Sequence, residues 1–347
     1  MVSWYGLLYS RNQVNQAGGV LIDLSSFSED EVEYALAVIN NWRSSHNFPL
    51  NTFQCTLRRK ASQVHGRALV AQRIKRLSSI SAKLRLHPAM KLSQMQDIGG
   101  CRAIVKSVSH VYKLVRLYKK GNLKHKLHEE YDYIRNPKES GYRSVHLVYR
   151  YYSDRSQTYN GHRIEMQFRS LLQHAWATAV EAVGTFTRQA LKSSQGEENW
   201  LRFFALMGGA IAIREGTPLV PNIPERKKEL KRELQHYARL LDVQNRLEGY
   251  AFALQIQEEM GVKDAHYFLV ELDAGTRQVK ITGYARNQLK KASEDYLAAE
   301  RSLVAGPAWR DAVLVSVESV AALKRAYPNY FLDTKRFITA VGHAIHR

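Results

Sequence analysis

Cysteine is nearly absent from this sequence, and long apolar segments are missing altogether. Two cysteines occur among 347 residues, and Cys55 and Cys101 form no disulfide or metal-binding pattern, which fits a reducing compartment. No apolar run approaches the roughly 20 residues that are needed to span a bilayer. The N-terminus lacks the basic-then-apolar order of a signal peptide. We therefore expect a soluble cytoplasmic protein with no membrane partner.

Acidic residues are missing from a long stretch near the N-terminus. No Asp or Glu occurs from Tyr34 to Gln96, whereas 11 Lys and Arg residues fall there, and the whole chain carries a formal net charge of +19. A solvated surface normally mixes both signs of charge. The excess of positive charge therefore favours an anionic partner, which could be a nucleotide, an RNA or an acidic protein surface.

Three prolines mark the clearest boundary in the chain, because they forbid a helix over residues 216–224. The length allows two domains, each with a core of its own. We predict a first domain over residues 1–190, a helical linker region over 191–260 and a small C-terminal α/β domain over 261–347. In this last domain we expect strands over 266–272, 278–284 and 312–317, a helix that ends near Leu303 and a final helix that Asp333 caps.

Residues 132–176 combine turn signals, two predicted strands and an unusual set of polar side chains. Asn-Pro and Ser-Gly pairs predict a loop over 132–144, and β-branched and aromatic residues predict a strand over 145–152. A turn at 159–161 leads into a second strand over 162–169. Alternation places four polar residues on one face of that strand: Arg163, Glu165, Gln167 and Arg169. A carboxylate among guanidinium groups suggests an anion site, although a solvated sheet face also accommodates such alternation.

The basic block continues into a segment that could bind phosphate. Apolar spacing predicts one helix from Asn51 to Leu77. Beyond it, Ser78 or Ser79 could cap a further helix whose N-terminal amides face an anion; a solvated basic helix is the alternative interpretation. Residues 95–105 then predict a turn that enters a strand, and a glycine pair there lets the backbone approach a ligand closely.

Several of these segments, taken in order, resemble the synthetase domain of the RelA/SpoT family. The motifs are Arg-x-Lys-x-x-x-Ser-Ile-x-x-Lys over 73–83, Asp-Tyr-Ile-x-x-Pro-Lys-x-x-Gly-Tyr-x-Ser-x-His over 132–146, Glu-x-Gln-x-Arg over 165–169 and His-Ala-Trp-Ala over 174–177. The resemblance implies an α+β fold with a mixed or antiparallel sheet flanked by helices, as in nucleotidyltransferases. It also implies transfer of pyrophosphate from ATP to the 3′-hydroxyl of a guanine nucleotide or, in a toxic branch, to tRNA.

The resemblance assigns roles to particular residues. Those implied to bind the ATP phosphates are Arg73, Lys75, Arg76, Ser79 and Lys83. The implied catalytic residues are Asp97, Arg102, Lys138 and Glu165, and Asp97 and Glu165 are the implied ligands of Mg²⁺. Those implied to bind the acceptor are Tyr142, His146, Gln167 and Arg169. Glu165 would orient or deprotonate the attacking hydroxyl and Tyr142 would stack on the acceptor base, whereas the alternative for Asp97 is a helix N-cap.

The acceptor stays open at this point. Long members of the family carry a charged signature just before the Asp-Tyr-Ile motif, and here those positions are Glu129, Glu130 and Tyr131. They match neither of the two known forms of the signature, which puts GDP or GTP as acceptor in doubt. No upstream hydrolase domain is expected, because its paired His-Asp metal motif is not visible.

A Tyr-x-x-Tyr motif at Tyr327 and Tyr330 resembles the C-terminal part of CapRel-type fused toxin–antitoxin proteins. That resemblance implies a C-terminal pseudo-zinc-finger domain that folds over the ATP site, the tRNA 3′-CCA end as acceptor, and release by a phage major capsid protein. Two aromatic residues around a proline are more often simple packing. The rival hypotheses are an alarmone synthetase with a C-terminal docking module and an inactive RNA-binding protein.

Overall fold

The computed structural model describes residues 5–120, 123–187, 191, 196–252, 255–258, 265–273, 275–304, 310–331 and 334–346. Its helices are α1 Arg11–Ile22, α2 Glu29–Ser45, α3 Asn47–Val64, α4 Leu77–Leu86, α5 Val108–Lys119, α6 Leu171–Thr187, α7 Glu198–Glu215, α8 Lys227–Leu240, α9 Val243–Phe252, α10 Leu289–Val304, α11 Val320–Ala326 and α12 Lys335–His346. Its strands are β1 Leu69–Ile74, β2 Gly99–Val105, β3 Lys126–Asp132, β4 Val145–Arg150, β5 Arg163–Ser170, β6 Gln255–Glu258, β7 Tyr267–Asp273, β8 Gln278–Tyr284 and β9 Arg310–Ser316.

The strands described here form one sheet in the order β3-β4-β5-β2-β1-β9-β7-β8-β6. The β2–β5 and β6–β8 pairs are parallel, and the other pairs are antiparallel. Helices flank this sheet, so the predicted fold class, an α+β protein with a mixed sheet, is confirmed. Among the described residues, no helix is long and apolar enough to cross a membrane.

The predicted helix from Asn51 to Leu77 is wrong in its second half. Helix α3 ends at Val64, and residues 69–74 form β1, which pairs with β2 from Leu69↔Ile104 to Ile74↔Gly99. Over so few residues, the apolar spacing fits a helix as well as a strand. Residues 69–74 form a strand because β2 and β9 supply backbone hydrogen-bond partners on both sides of β1.

The two faces of β5 have the chemistry that the alternation predicted. Ile164, Met166 and Phe168 are fully buried in one core with Phe53 of α3 and Leu114 of α5. The intervening polar residues therefore point away from α3 and α5, toward the opposite side of the sheet. On that side a second core joins α6, α7, α8, α9 and α12, so the polar face lies where the helices that follow β5 can reach it.

The C-terminal strands continue the sheet of the N-terminal part. Strand β9 pairs with β1 at Gln72↔Ser316 and Arg73↔Val315, and the Gln54 side-chain amide donates to the Ser316 carbonyl at 2.9 Å. The three predicted C-terminal strands are confirmed within two residues at either end, whereas α11 was not predicted and Asp333 lies outside the described residues. Residues 216–226 separate α7 from α8, as the three prolines predict. The division into domains stays a prediction.

Candidate active site

A small cavity collects the two carboxylates that the sequence singled out. Its lining residues are Arg73, Asp97, Gly100, Cys101, Arg102, Glu165, Gln167 and Tyr327. Strand β1 supplies Arg73, the turn before β2 supplies Asp97, and β5 supplies Glu165. The parallel register places Gly100 beside Glu165, and the missing side chain of Gly100 leaves room above the sheet. The structure thus brings Asp97 and Glu165 to one place.

Asp97 is neutralised by two lysines. The Nζ atom of Lys75 lies 2.6 Å from Oδ2 of Asp97, and the Nζ atom of Lys83 lies 3.0 Å from Oδ1. Burial by itself raises the pKa of this carboxyl, but the two ammonium groups outweigh burial and hold the pKa well below its usual range. Asp97 is therefore an ionised carboxylate in a turn and does not cap a helix, so the N-cap alternative is wrong.

Five predicted residues form a closed ring of hydrogen bonds around Glu165. An oxygen of Glu165 lies 2.8 Å from Nδ1 of His146, and Gln167 donates to the other oxygen at 2.6 Å. The Tyr142 hydroxyl lies 2.8 Å from Nε2 of His146. Arg169 closes the ring, because its Nη2 donates to the Tyr142 hydroxyl at 2.8 Å and to the Gln167 oxygen at 3.3 Å. The implied acceptor residues are thus held together as one network.

The pairing of Glu165 with His146 sets the charge of both groups. Burial alone favours the neutral form of each, yet the His146 ring lowers the pKa of Glu165. Burial likewise opposes a charge on His146, but Tyr142 and the Glu165 carboxylate raise the pKa of His146 above its ordinary value. We infer a carboxylate paired with an imidazolium. A carboxylate of low pKa is a good hydrogen-bond acceptor and a weak base.

Arginines give the cavity its positive character. Burial, together with the charge of nearby Arg169, lowers the pKa of Arg102 to about 10. The buried Nε atoms of Arg102 and Arg169 have no hydrogen-bond partner among the residues that the structure describes. Donors that are buried and unpaired carry a free-energy penalty until a partner arrives. Of these two side chains Arg102 lines the cavity, and its unpaired donor favours an anionic ligand there.

The remaining predicted residues lie around this centre. Arg76 forms an ion pair with Asp311 and donates to the Tyr330 hydroxyl at 3.2 Å. Ser79 lies inside α4, whose N-cap is Arg76, so the expectation that Ser78 or Ser79 caps this helix is wrong. Lys138 is exposed, and its Nζ lies 4.6 Å from the centre of the Tyr133 ring.

Sequence reasoning missed an acidic residue at the N-terminus of α4. One Glu300 oxygen accepts from the Leu77 amide at 2.9 Å, and the other accepts from Arg43 at 2.6 Å. Tyr296 donates to Glu300 at 2.8 Å and accepts from Arg43 at 2.9 Å. Glu300 lies on α10, so 223 residues separate it from Leu77. No local motif signals such a contact, and only the fold reveals it.

The two tyrosines of the Tyr-x-x-Tyr motif lie on the implied ATP residues. Tyr327 lines the cavity and donates to the Gln72 carbonyl at 3.2 Å, and the Arg102 guanidinium lies 5.7 Å from the centre of its ring. Tyr330 accepts from Arg76 and donates to Asp311 at 3.2 Å. Both rings are buried. The C-terminal part of the chain thus covers the cavity.

The cavity thus brings two arginines and two carboxylates together at a mixed sheet. Residues 72–189 match the family model described as "Region found in RelA / SpoT proteins". This part of the chain is therefore similar to the RelA/SpoT region, and the predicted family resemblance is confirmed for it. The closer resemblance to CapRel-type proteins stays a prediction.

Curated relatives give the same family over part of the chain. The chain is 35% identical over 114 residues to the GTP pyrophosphokinase YjbM of Bacillus subtilis (strain 168), and this match covers 31% of this chain and 52% of YjbM. It is 24% identical over 177 residues to the GTP pyrophosphokinase YwaC of Bacillus subtilis (strain 168), and this match covers 45% of this chain and 80% of YwaC. The chain thus spans about half the length of the first relative and most of the second.

Solved structures of related proteins also match. A GTP pyrophosphokinase family protein from Streptococcus pneumoniae is 24% identical, with a TM-score of 0.41, and the match covers 49% of this chain and 84% of that chain. The small alarmone synthetase 1 from Bacillus subtilis bound to its product pppGpp is 21% identical, with a TM-score of 0.38, over 59% of this chain and 93% of that chain. The family assignment of residues 72–189 rests on the family model and the curated relatives.

Proposed function

We propose that this chain transfers pyrophosphate from ATP to a 3′-hydroxyl group. The hydroxyl oxygen forms a bond to the β-phosphorus of ATP and its proton passes to solvent, while the bond from that phosphorus to the α,β-bridging oxygen breaks and AMP leaves with that oxygen. The observation that carries the proposal is the shared cavity, in which Asp97 and Glu165 lie with Arg73 and Arg102. Phosphoryl transfer depends mainly on neutralising charge and on positioning the nucleophile, and this set of side chains supplies both.

The cationic residues divide into two groups by position. Lys75 and Lys83 surround Asp97, and with Arg73, Arg76 and Ser79 they form the proposed phosphate-binding side. The ring around Glu165 forms the proposed acceptor side. There Glu165 orients the attacking hydroxyl by accepting its hydrogen bond, because its lowered pKa makes it a weak base.

The donor set fits Mg²⁺ as the implied cofactor. Two carboxylates, Asp97 and Glu165, line one cavity, and Mg²⁺ usually takes one or two protein carboxylates together with substrate phosphates. Within the described part of the chain, no group of three or more His, Cys, Asp or Glu side chains could hold a metal by itself. Asp97 and Glu165 would therefore hold the ion only together with ATP, and its charge would offset that of the phosphates.

We further propose that the C-terminal part inhibits the site by covering it. The cavity has a volume of only about 10 Å³, too little for ATP. Tyr327 fills the space beside Arg102, while Asp311 pairs with Arg76. These contacts place a ring and a carboxylate on residues that are proposed to bind the nucleotide. Departure of the C-terminal part would remove Asp311 from Arg76 and the Tyr327 ring from Arg102, and would open the cavity to ATP.

Two acceptors are compatible with this chemistry. We favour the 3′-CCA end of tRNA, whose modification would inhibit translation, because the formal net charge of +19 suits a large polyanion. The alternative is GDP or GTP, with the C-terminal part as a docking module. That alternative is favoured by the two curated relatives, which are both named GTP pyrophosphokinases.

A transfer assay decides between these acceptors. Full-length protein and its Tyr327→Ala variant are incubated with γ-labelled ATP, Mg²⁺ and either deacylated tRNA or a guanine nucleotide. We expect label on tRNA, with more of it from the variant. Label on GDP or GTP alone would establish the alarmone alternative. No label on either acceptor, from wild type or variant, would refute pyrophosphate transfer.

The CapRel resemblance adds a trigger to this scheme. A ligand that binds the open form better than the covered form shifts the population toward the open form. A phage major capsid protein would act in this way, which would make the chain an anti-phage defence that stops translation on infection. Purified capsid protein added to the wild-type assay should increase transfer; the absence of an increase with capsids of phages that the protein restricts would contradict this trigger.

A further inference from the structure

The loop that carries Tyr142 has an unusual backbone. Gly141 has a φ of +90°, a conformation that side chains disfavour. Its amide donates to the Lys138 carbonyl at 2.9 Å, and the Lys138 amide points back to the Tyr142 carbonyl at 3.4 Å. These bonds fold residues 138–142 into a tight turn. The position of Tyr142, and with it the ring around Glu165, depends on what holds this turn.

Helix α7 holds the turn by direct backbone contact. A Cβ atom added to Gly208 would lie 2.6 Å from the Gly141 Cα and 2.8 Å from the Gly141 oxygen. A Cβ atom added to Gly141 would lie 2.7 Å from the Phe204 carbonyl oxygen. Neither contact leaves room for a methyl group, because backbone atoms cannot rotate aside as a flexible side chain can. Helix and turn therefore approach each other as closely as two glycines allow.

Two flanking side chains secure the same contact. Arg143 is buried and donates to the Thr217 hydroxyl at 2.5 Å and to the Pro218 carbonyl, both in the segment that follows α7. Trp176 of α6 donates through its indole nitrogen to the Phe204 carbonyl at 2.9 Å. Arg143 thus ties the turn to the segment after α7, and Trp176 joins α6 to α7 at the Phe204 carbonyl that faces Gly141.

We propose that Gly208 is a positioning residue for acceptor binding: it lets the turn that carries Tyr142 rest against α7. The inference rests on the proposed function, because it assigns the turn to the acceptor side. Alanine has the higher helix propensity, so a helical glycine without such a contact is replaced without loss. At Gly208, alanine would instead push the turn and Tyr142 away from Arg169 and His146.

The chain offers two matched Gly→Ala controls in helices. At Gly209, an added Cβ would lie 2.1 Å from Cδ1 of Ile223. This atom is the far end of a flexible side chain, so it can rotate away. At Gly342 of α12, nothing lies within 4 Å of an added Cβ. Gly209→Ala therefore tests general crowding of α7, and Gly342→Ala tests helix propensity alone.

Each variant is measured in two ways in the full-length chain. The first is hydrogen exchange of a peptide that spans residues 133–145, in which we expect Gly208→Ala to exchange about tenfold faster and both controls to match wild type. The second is steady-state transfer in the Tyr327→Ala background. Here the KM for the acceptor should rise about tenfold for Gly208→Ala, with the KM for ATP within about twofold, because the turn and Tyr142 lie on the proposed acceptor side.

The two measurements separate this inference from the proposed function. If no form of the protein transfers pyrophosphate, the proposed function fails, and hydrogen exchange still shows whether Gly208 positions the turn. If exchange and the acceptor KM of Gly208→Ala match those of Gly342→Ala, the inference is overturned. Should Gly208→Ala not fold, Thr217→Val, which removes one hydrogen bond from Arg143, takes its place with a smaller change of the same kind expected. An unchanged exchange rate and acceptor KM in Thr217→Val would then overturn the inference.

Discussion

Two cavities of this molecule differ in size and in chemistry, and the larger one is not the candidate active site. A groove of about 400 Å³ lies between α7, α8 and α12 and is lined mainly by apolar side chains such as Met207, Leu230 and Ala340. The cavity at Asp97 and Glu165 measures about 10 Å³. Of the described residues that line the groove, none has a role implied by the family resemblance. The chemistry of the lining, and not its volume, identifies the site.

The difference has a physical cause. Charges that leave water require partners, because burying an unpaired charge is costly. The cationic site therefore draws in carboxylates of the C-terminal part, with Asp311 on Arg76 and Glu300 on Arg43, and these contacts close the space. An apolar groove has no comparable requirement and stays open. Under the proposed function, the cations that would bind a nucleotide also hold the C-terminal part over the cavity.

Removal of a cavity carboxylate should have the largest effect. In the Tyr327→Ala background we expect Asp97→Ala and Glu165→Gln each to lower pyrophosphate transfer by about 1,000-fold or more, since each loses several kcal/mol of electrostatic stabilisation and positioning. Lys227→Ala, at the rim of the groove, is the control and should retain activity. Circular dichroism checks the fold of each variant. Full activity of either carboxylate variant would remove that residue from the mechanism.

Variants that open the cavity at Asp97 and Glu165 should have the next largest effect on pyrophosphate transfer. Tyr327→Ala removes the ring beside Arg102, so transfer should rise about tenfold or more over wild type if covering is worth at least about 1.4 kcal/mol. Tyr330→Phe removes only the hydroxyl between Arg76 and Asp311, and the rise should be about threefold. Expression should become toxic in the same order. Benign expression of both variants at normal protein levels would exclude inhibition by these tyrosines.

Removal of Glu300 should weaken the contact between α10 and the N-terminal part. Glu300 and Arg43 are both buried, so Glu300→Ala leaves a buried guanidinium unpaired and should lower the free energy of unfolding by about 3–5 kcal/mol. Glu318→Ala is the matched control, because Glu318 is 74% exposed and lies 3.7 Å from Arg58. An exposed pair contributes about 1 kcal/mol or less. Equal urea midpoints for both variants would show that the buried pair does not stabilise the fold.

Local patterns predicted what depends on local sequence. The polar face of β5 follows from strict alternation, and the loop before β4 follows from its turn residues, so Glu165 and Tyr142 were placed before the fold was known. The sequence predicts a helix for the β1 segment, because six residues without their neighbours do not reveal which periodicity applies. Strands β2 and β9, from distant parts of the chain, decide it.

Contacts between distant segments could not be predicted. Glu300 resembles any solvent-facing glutamate of a helix until the fold brings Arg43 and the Leu77 amide to it. Similarly, the Gly208 contact with Gly141 has no counterpart in composition or spacing. The positions of Tyr327 and Tyr330 were anticipated only through a family resemblance, since a Tyr-Pro-Asn-Tyr segment by itself predicts packing and no more.

A last comparison is between the paired carboxylates and a buried titratable group that has no opposite charge. His162 is buried beside His46, with ring centres 4.3 Å apart, and its Nε2 lies 2.8 Å from the Ser45 hydroxyl. Burial, together with the charge of Arg11, lowers the pKa of His162 to about 4. The neutral ring therefore stabilises the fold above the ordinary pKa, and this stabilisation is lost as the pH falls toward the folded pKa.

The pH dependence of the free energy of unfolding tests whether the neutral His162 ring stabilises the fold. The pKa of His162 is 6.5 in the unfolded chain and about 4 in the folded chain. Between these pH values the unfolded chain binds a proton at His162 and the folded chain does not. The free energy of unfolding of wild type should therefore fall by up to about 3 kcal/mol through this residue. In His162→Gln, the free energy of unfolding measured with urea should fall by about 3 kcal/mol less than in wild type between pH 6.5 and pH 4. Below pH 4 both proteins should lose stability together, because the unfolded chain then binds protons at Asp97 and at other carboxyls whose pKa is lowered in the fold. A parallel decline of variant and wild type from pH 6.5 downward would mean that His162 is protonated in the fold, and that burial alone does not keep a ring neutral there.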